Sequence, residues 1–216
     1  MISKMRTGVL ACITGAMLAL SASGASAAAQ NPHQLTTGQL KARLLAIGNL
    51  PYGYVTYPHA TYFPDYSDQL ACMNTLNGLD NPVPPSGVTQ ATASFALSTA
   101  GPWIFETLRS YPGQRATQTF NSATATLAGC PSFLLRWSNP PAKATETVKP
   151  LGSVRLGNQS WSAAIGVITT IPVTETMILV RTGDSTMLLE VASSVGLPTF
   201  AQVVAIAARA TSKLSG

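Results

Sequence analysis

Three stretches of the chain alternate apolar and polar residues, a pattern typical of half-buried β-strands. They cover about 91–98, 133–138 and 161–167. Two further β-rich runs, 176–181 and 186–191, are joined through Gly183-Asp184, which is a two-residue hairpin signal. The second half of the chain is therefore expected to be rich in antiparallel strands.

Apolar residues at steps of three and four predict helices in other parts of the chain. These helices cover about 36–47, 67–77, 103–109, 116–130 and 199–214. In the last of them, Phe200, Val203 and Ala207 lie on one apolar stripe. Residues 139–151 are polar and contain prolines, so we expect a connection there.

The order of these elements indicates the fold class. Helices, one strand and further helices precede a run of antiparallel strands and a closing helix. The chain lacks the regular β-α alternation of a doubly wound fold. We therefore expect an α+β fold in a single domain, with an antiparallel sheet and helices packed on it.

The first 29 residues have the pattern of a secretory signal peptide. Lys4 and Arg6 form a positively charged n-region, residues 8–20 form an apolar h-region, and Ala25-Ser26-Ala27 has the small residues of a cleavage site. Cleavage between Ala27 and Gln30 would leave a mature domain of residues 30–216. An uncleaved anchor and lipidation of Cys12 are the alternatives, but most of the apolar run follows Cys12.

Charge and hydropathy limit the kinds of partner that the protein can bind. Without the signal, eleven basic and eight acidic residues remain, so the net charge is +3, and the basic residues are scattered singly. Nucleic-acid binding needs a concentrated basic patch, so we exclude it. The mature chain has no apolar run of about 18 residues, so no membrane span is expected after cleavage. The expected location is secreted, extracellular or in the cell envelope.

Two cysteines, Cys72 and Cys130, remain in the mature chain. An exported chain meets an oxidising compartment, where an even pair of cysteines indicates a disulfide. A metal pair or a catalytic thiol would need partners. The chain has two histidines and no C-x-x-C, so neither a metal nor a cofactor is expected.

The sequence contains no nucleophile elbow, zinc-protease motif, P-loop or dinucleotide-binding motif. A Ser-His-Asp triad would need His33 or His59 as its base, and His33 lies in the polar lead-in. The sequence therefore predicts a protein that is not an enzyme, with a secreted hydrolase as a distant third possibility.

Five of the six tyrosines fall within residues 51–66, together with three prolines. A tyrosine ring combines an apolar face with a hydroxyl, which suits recognition of sugars, peptides or lipids. One hypothesis is that Tyr54, Tyr57, His59 and Tyr62 line one wall of a ligand groove. The alternative is that these rings cover the core.

Several short segments resemble a known family. They are residues 44–51 (LLAIGNLP), 126–130 (TLAGC) and 178–184 (ILVRTGD), together with the closing helix. They resemble the extracellular sensor domain of the mycobacterial kinase PknH, which in actinobacteria also occurs alone in secreted proteins and lipoproteins. The resemblance covers nearly all of residues 36–214. It implies an α+β fold, a disulfide from the N-terminal helical part to the middle helix, and binding without catalysis.

The chain departs from that family in three respects. It has no kinase domain and no convincing lipidation motif, and it offers one cysteine pair where the family often has more. Two function classes follow. The first is a sensor-like domain that binds an unknown small molecule or cell-wall component. The second is a secreted interaction protein that contacts a protein partner and has no pocket.

Overall fold

The structure, a computed structural model, describes residues 34–58, 63–139 and 141–216. The predicted signal peptide, residues 1–29, lies outside the described residues. The helices are α1 (Thr37–Arg43), α2 (Leu70–Asp80), α3 (Arg115–Ala128) and α4 (Phe200–Ser215). The strands are β1 (Val55–Thr56), β2 (Tyr66–Ser67), β3 (Thr89–Ala96), β4 (Trp103–Ser110), β5 (Ser132–Ser138), β6 (Pro141–Gly152), β7 (Gln159–Ile168), β8 (Val173–Thr182) and β9 (Ser185–Ser193).

All these strands form one antiparallel sheet in the order β1-β3-β4-β9-β8-β7-β6-β5-β2. β8 and β9 form the predicted hairpin, and Gly183 adopts a positive φ of 56° in its turn. The expected α+β class is confirmed: the described residues form a single domain with four helices on a nine-stranded antiparallel sheet.

The two faces of the sheet carry separate apolar cores, because successive strand residues point to opposite faces. Ile178 and Val180 of β8 lie in one core with Val203 and Ala207 of α4 and Leu40 of α1. The other core lies beneath α2 and α3, and β8 contributes its alternate residues to it. We call this second side of the sheet the α2 face.

Capping boxes begin the first and last helices. The Thr199 N–H donates to Gln202 Oε1 at 2.8 Å, and the Gln202 N–H donates to Thr199 Oγ1 at 3.4 Å. Thr36 and Gln39 form the same reciprocal pair at α1. Each box satisfies backbone N–H groups that have no partner within the helix.

A disulfide joins Cys72 of α2 to Cys130, which lies two residues after α3. The Cα atoms of the two residues are 5.9 Å apart. The predicted pairing is confirmed. No helix in the described part of the chain is long and apolar enough to cross a membrane.

Two sequence predictions were wrong. Residues 103–109 were expected to form a helix, but they form β4, which pairs with β3 and β9. Ile104 and Leu108 are fully buried, so this strand has no solvated face that would reveal its alternation. Residues 139–151 were expected to form a connection, but most of them belong to β6, where a register shift accommodates Pro150.

Candidate functional site

β1 and β2 lie at opposite edges of the sheet, although only nine residues separate them in sequence. The Tyr57 N–H donates to Ser94 O at one edge, and the Asp65 N–H donates to Arg136 O at the other, both at 2.9 Å. The chain from Tyr57 to Asp65 reaches at most about 29 Å. Eight flat strand spacings would measure about 38 Å. The sheet is therefore curved, so that its two edges approach each other.

The structure places two of the four predicted groove residues, and they lie in different surroundings. Tyr54 is 6% exposed and belongs to the core under α4. Tyr57 is 38% exposed, and its carbonyl oxygen accepts a hydrogen bond from the Ser94 hydroxyl. His59 and Tyr62 lie outside the described residues. A groove wall formed by these four side chains stays a prediction.

A cavity of about 200 Å³ opens on the α2 face beside Phe63 and Pro64. Its apolar lining comes from α2, from the strands β5, β7 and β8, and from the residues just before β2. These residues are Phe63, Pro64, Met73, Leu76, Leu135, Trp137, Ile165, Val167 and Met177.

Four carboxyl side chains line the same cavity, which we call the acidic trough. They are Asp80 at the end of α2, Glu146 on β6, Glu175 on β8 and Glu190 on β9. They make up half of the chain's eight acidic residues. Glu146 and Glu190 are each only 8% exposed. Glu175 Oε1 is enclosed and has no hydrogen-bond partner among the described residues.

The strand register explains why these glutamates meet. Glu190 pairs with Met177, which is two residues along β8 from Glu175. Glu175 and Glu190 are therefore diagonal neighbours on one face of the sheet. Glu146 lines the same cavity from β6, one strand beyond β7. Three residues that are distant in sequence thus converge at positions where their neighbours are apolar.

Burial is the main influence on the acidity of these groups. It raises the pKa of Glu146 to about 7. Burial, and then the charges of Glu146 and Asp80, raise the pKa of Glu175 to about 8. Burial and the other three carboxyls also raise the pKa of Glu190 well above its ordinary value, and Arg109 opposes that shift. Near neutral pH the trough therefore holds protons that ordinary carboxyls would have lost.

Arg109 is already engaged in other contacts. Its Nε donates to Gln90 Oε1 at 2.6 Å, and its two terminal nitrogens donate to Gly78 O at 2.7 Å and Asn81 O at 2.9 Å. These carbonyls lie at the C-terminal end of α2. The guanidinium therefore holds that helix end against the sheet and neutralises the trough only in part.

A second cavity of about 120 Å³ shares Asp80 with the trough and extends across β3 and β4. Larger depressions of about 420 and 450 Å³ lie between α2 and α3 and near the start of α4. Glu175, which lines the trough, and Glu106, which lines the second cavity, each have an enclosed carboxyl oxygen without a partner among the described residues. The trough is the better candidate because three further carboxyls and a broad apolar lining accompany Glu175 there. No group of three or more His, Cys, Asp or Glu side chains within the described ranges is arranged to hold a metal ion.

Reasoning from the sequence missed the trough, although one signal was present. In β8, Glu175 occupies the same alternating set of positions as Met177 and Leu179. In β9, Glu190 follows Leu188 in the same way. A charged residue at an inward strand position is a candidate functional residue.

No family model matches the chain, and no curated protein matches it in sequence. Among solved structures, the chain is similar to the extracellular domain of PknH from Mycobacterium tuberculosis. The TM-score is 0.63 at 12% sequence identity, over 84% of this chain and 97% of that one. An uncharacterised protein from Mycobacterium smegmatis aligns with a TM-score of 0.47 at 9% identity, over 86% of this chain and 100% of that one. The chain therefore has the α+β fold of the PknH extracellular domain, a likeness of fold without family membership in sequence.

Proposed function

We propose that the protein is a secreted, sensor-like domain of the bacterial cell exterior or envelope, which binds a small molecule or cell-wall component without catalysis. The observation that carries this proposal is the acidic trough. An enclosed carboxylate without a hydrogen-bond partner costs free energy of folding. A ligand that pairs with the carboxylate would recover part of that cost.

Two further observations support the proposal. The signal-peptide pattern before residue 30 and the disulfide between Cys72 and Cys130 agree with an oxidising compartment outside the cytoplasm. The fold shared with the PknH extracellular domain is a scaffold that another protein displays outside the cell. The proposed domain organisation is a signal peptide over residues 1–29 and a PknH-like domain over 30–216.

A thermal-shift screen of the secreted protein against cell-wall fragments, lipids and host glycans tests this function. A compound that binds the folded state raises the melting temperature by mass action. The screen is repeated with Asn77→Trp, which places a large ring at the edge of the trough, and with the control Ala71→Trp on an exposed position of α2. We expect a hit to stabilise the wild type and the control, but not Asn77→Trp.

Two outcomes would contradict the proposal. If a hit stabilises Asn77→Trp as strongly as the wild type, the ligand binds elsewhere. If no compound shifts the melting temperature, the case for a small-molecule site fails and the second candidate function gains weight.

That second candidate is a secreted interaction protein, and one surface favours it. Tyr52 is fully exposed and Leu97 is 46% exposed, and both line the depression near the start of α4. Val195, beside the same depression, is also exposed. Exposed apolar patches of this kind mark protein contacts. Loss of a captured partner in Tyr52→Ser, with the trough intact, would support this function.

A further inference from the structure

We propose that the acidic trough binds an organic ammonium cation, whose charged head meets Glu175 and Glu190 and whose apolar body lies against Leu76 and Trp137. The inference rests on the proposed function, because it names the ligand class of the same site.

The first argument is the missing hydrogen-bond donor. Glu175 Oε1 is enclosed and has no partner among the described residues. Glu190, its diagonal neighbour, is 8% exposed. Buried carboxylates in folded proteins are paired or hydrogen-bonded. An ammonium group offers N–H donors and a positive charge together, so one ligand group supplies both requirements.

The second argument is the balance of charge. Asp80 and Glu146 face the same space as Glu175 and Glu190, from α2 and β6. Among the described residues, Arg109 is the cation that lowers the pKa of Glu190, and three of its N–H groups are bonded to Gln90 and to the end of α2. As these carboxyls ionise, the trough gains negative charge, which an anionic ligand would increase and a cationic one would reduce.

The third argument is the apolar lining, which selects the kind of cation. Leu76, Trp137, Ile165, Val167 and Met177 line the cavity beside the carboxyls. Divalent metal ions prefer a shell of oxygen ligands and water. A cation with hydrocarbon attached can bury its chain against these residues and stack on the indole ring. The cavity of about 200 Å³ suits a body of a few carbon atoms.

Proton linkage follows from this arrangement. Burial and mutual repulsion raise the pKa values of Glu146, Glu175 and Glu190. An ammonium bound among them stabilises their ionised forms, so binding releases protons. Affinity should therefore rise as the pH rises from about 6 to about 8.

Three probes with the same chain and different charge test the inference: hexylammonium, 1-hexanol and hexanoate. Each is titrated into the secreted protein by calorimetry at about pH 6 and about pH 8, in two buffers of different ionisation enthalpy. We expect hexylammonium alone to bind, about fivefold more tightly at the higher pH, with proton release. Glu175→Gln should weaken it about tenfold, and the control Asp184→Asn should not.

Further titrations distinguish a free amine from a protein lysine as the source of the cation, and they include the results that would overturn the inference. Nα-acetyl-lysine amide, whose side-chain ammonium is free, replaces hexylammonium to test whether the ammonium can come from a partner protein's lysine. Tighter binding of calcium or magnesium ions than of either amine would overturn the inference. So would equal binding of 1-hexanol, or unchanged affinity in both Glu175→Gln and Glu190→Gln.

Failure of the inference is separable from failure of the proposed function. If the thermal-shift screen finds a neutral or anionic ligand that Asn77→Trp abolishes, the trough is a binding site and only the ligand class is wrong. If hexylammonium binds equally well to Asn77→Trp and to the wild type, the trough is not the binding site, and both proposals are wrong on that point.

Discussion

Glu175 and Glu190 are diagonal neighbours across the β8–β9 ladder, with both side chains facing one cavity, because Glu190 pairs with Met177 and Glu175 pairs with Ala192. Burial raises the pKa of both carboxyls, and the charge of Arg109 opposes this shift at Glu190. An acid whose pKa is higher in the folded than in the unfolded state stabilises the fold when protonated and loses that contribution as it ionises.

The first prediction is that stability falls as the pH rises through neutrality. The contribution of Glu175 is complete below its unfolded pKa of about 4.5 and is lost as the pH approaches about 8. Glu175→Gln removes the ionisation, so at about pH 8 it should be more stable than the wild type by at least about 1 kcal/mol. At about pH 5 the two proteins should be alike.

Urea unfolding at both pH values measures this difference, with Asp184→Asn in the β8–β9 hairpin as the matched control. If Glu175→Gln has the same stability relative to the wild type at both pH values, burial does not perturb the carboxyl as the structure requires.

The second prediction concerns Glu106, on the opposite face of the sheet. Its Oε2 accepts the Leu45 N–H at 2.7 Å, and burial raises its pKa to about 7 despite that bond and the charge of Lys213. Glu106→Gln retains an acceptor, whereas Glu106→Met leaves a buried N–H unpaired. The methionine variant should be less stable than the glutamine variant by about 1–3 kcal/mol at any pH. Equal denaturant midpoints for the two variants would show that the bond contributes nothing.

The third prediction concerns the disulfide, which closes a loop of 58 residues. In the chain-entropy model, such a loop stabilises the folded state by about 4 kcal/mol. The double variant Cys72→Ala/Cys130→Ala should lose about that much. Because α2 carries Asp80 and Leu76, the variant should also respond less to any ligand of the trough. A double variant with wild-type stability under oxidising conditions would contradict this account.

The fourth prediction separates two tyrosines that are three residues apart. Tyr54 is buried in the core under α4, so Tyr54→Ala should cost about 3 kcal/mol. Tyr57 is partly exposed, so Tyr57→Ala should change stability by less than about 1 kcal/mol. If Tyr57→Ala also removes a ligand-induced shift, the groove hypothesis gains support. A large stability loss in Tyr57→Ala would instead mean that its ring covers the core.

The fifth prediction concerns export. Signal cleavage after the Ala25-Ser26-Ala27 triplet should leave a secreted chain that begins between Ala28 and Asn31. Intact-mass analysis of culture filtrate measures this directly. A membrane-bound product with an acyl group on Cys12 would show that the protein is anchored and not released.

Local sequence patterns were enough to predict the helices and strands that have one solvent-exposed side. The apolar stripe of α4 predicted that helix within one residue at each end. The Gly183-Asp184 turn predicted the β8–β9 hairpin. The pair Cys72 and Cys130 predicted the disulfide, since no other cysteine follows the predicted signal peptide.

Tertiary structure decided the elements and the site that depend on distant partners. β4 is a strand because β3 and β9 pair with it on either side, and its sequence has no solvated face to show the period. The acidic trough exists because the strand order brings Glu146, Glu175 and Glu190 to one face, beside Asp80 of α2. A sequence states which side chains are available, but only long-range strand pairing and the curvature of the sheet determine which of them share one cavity.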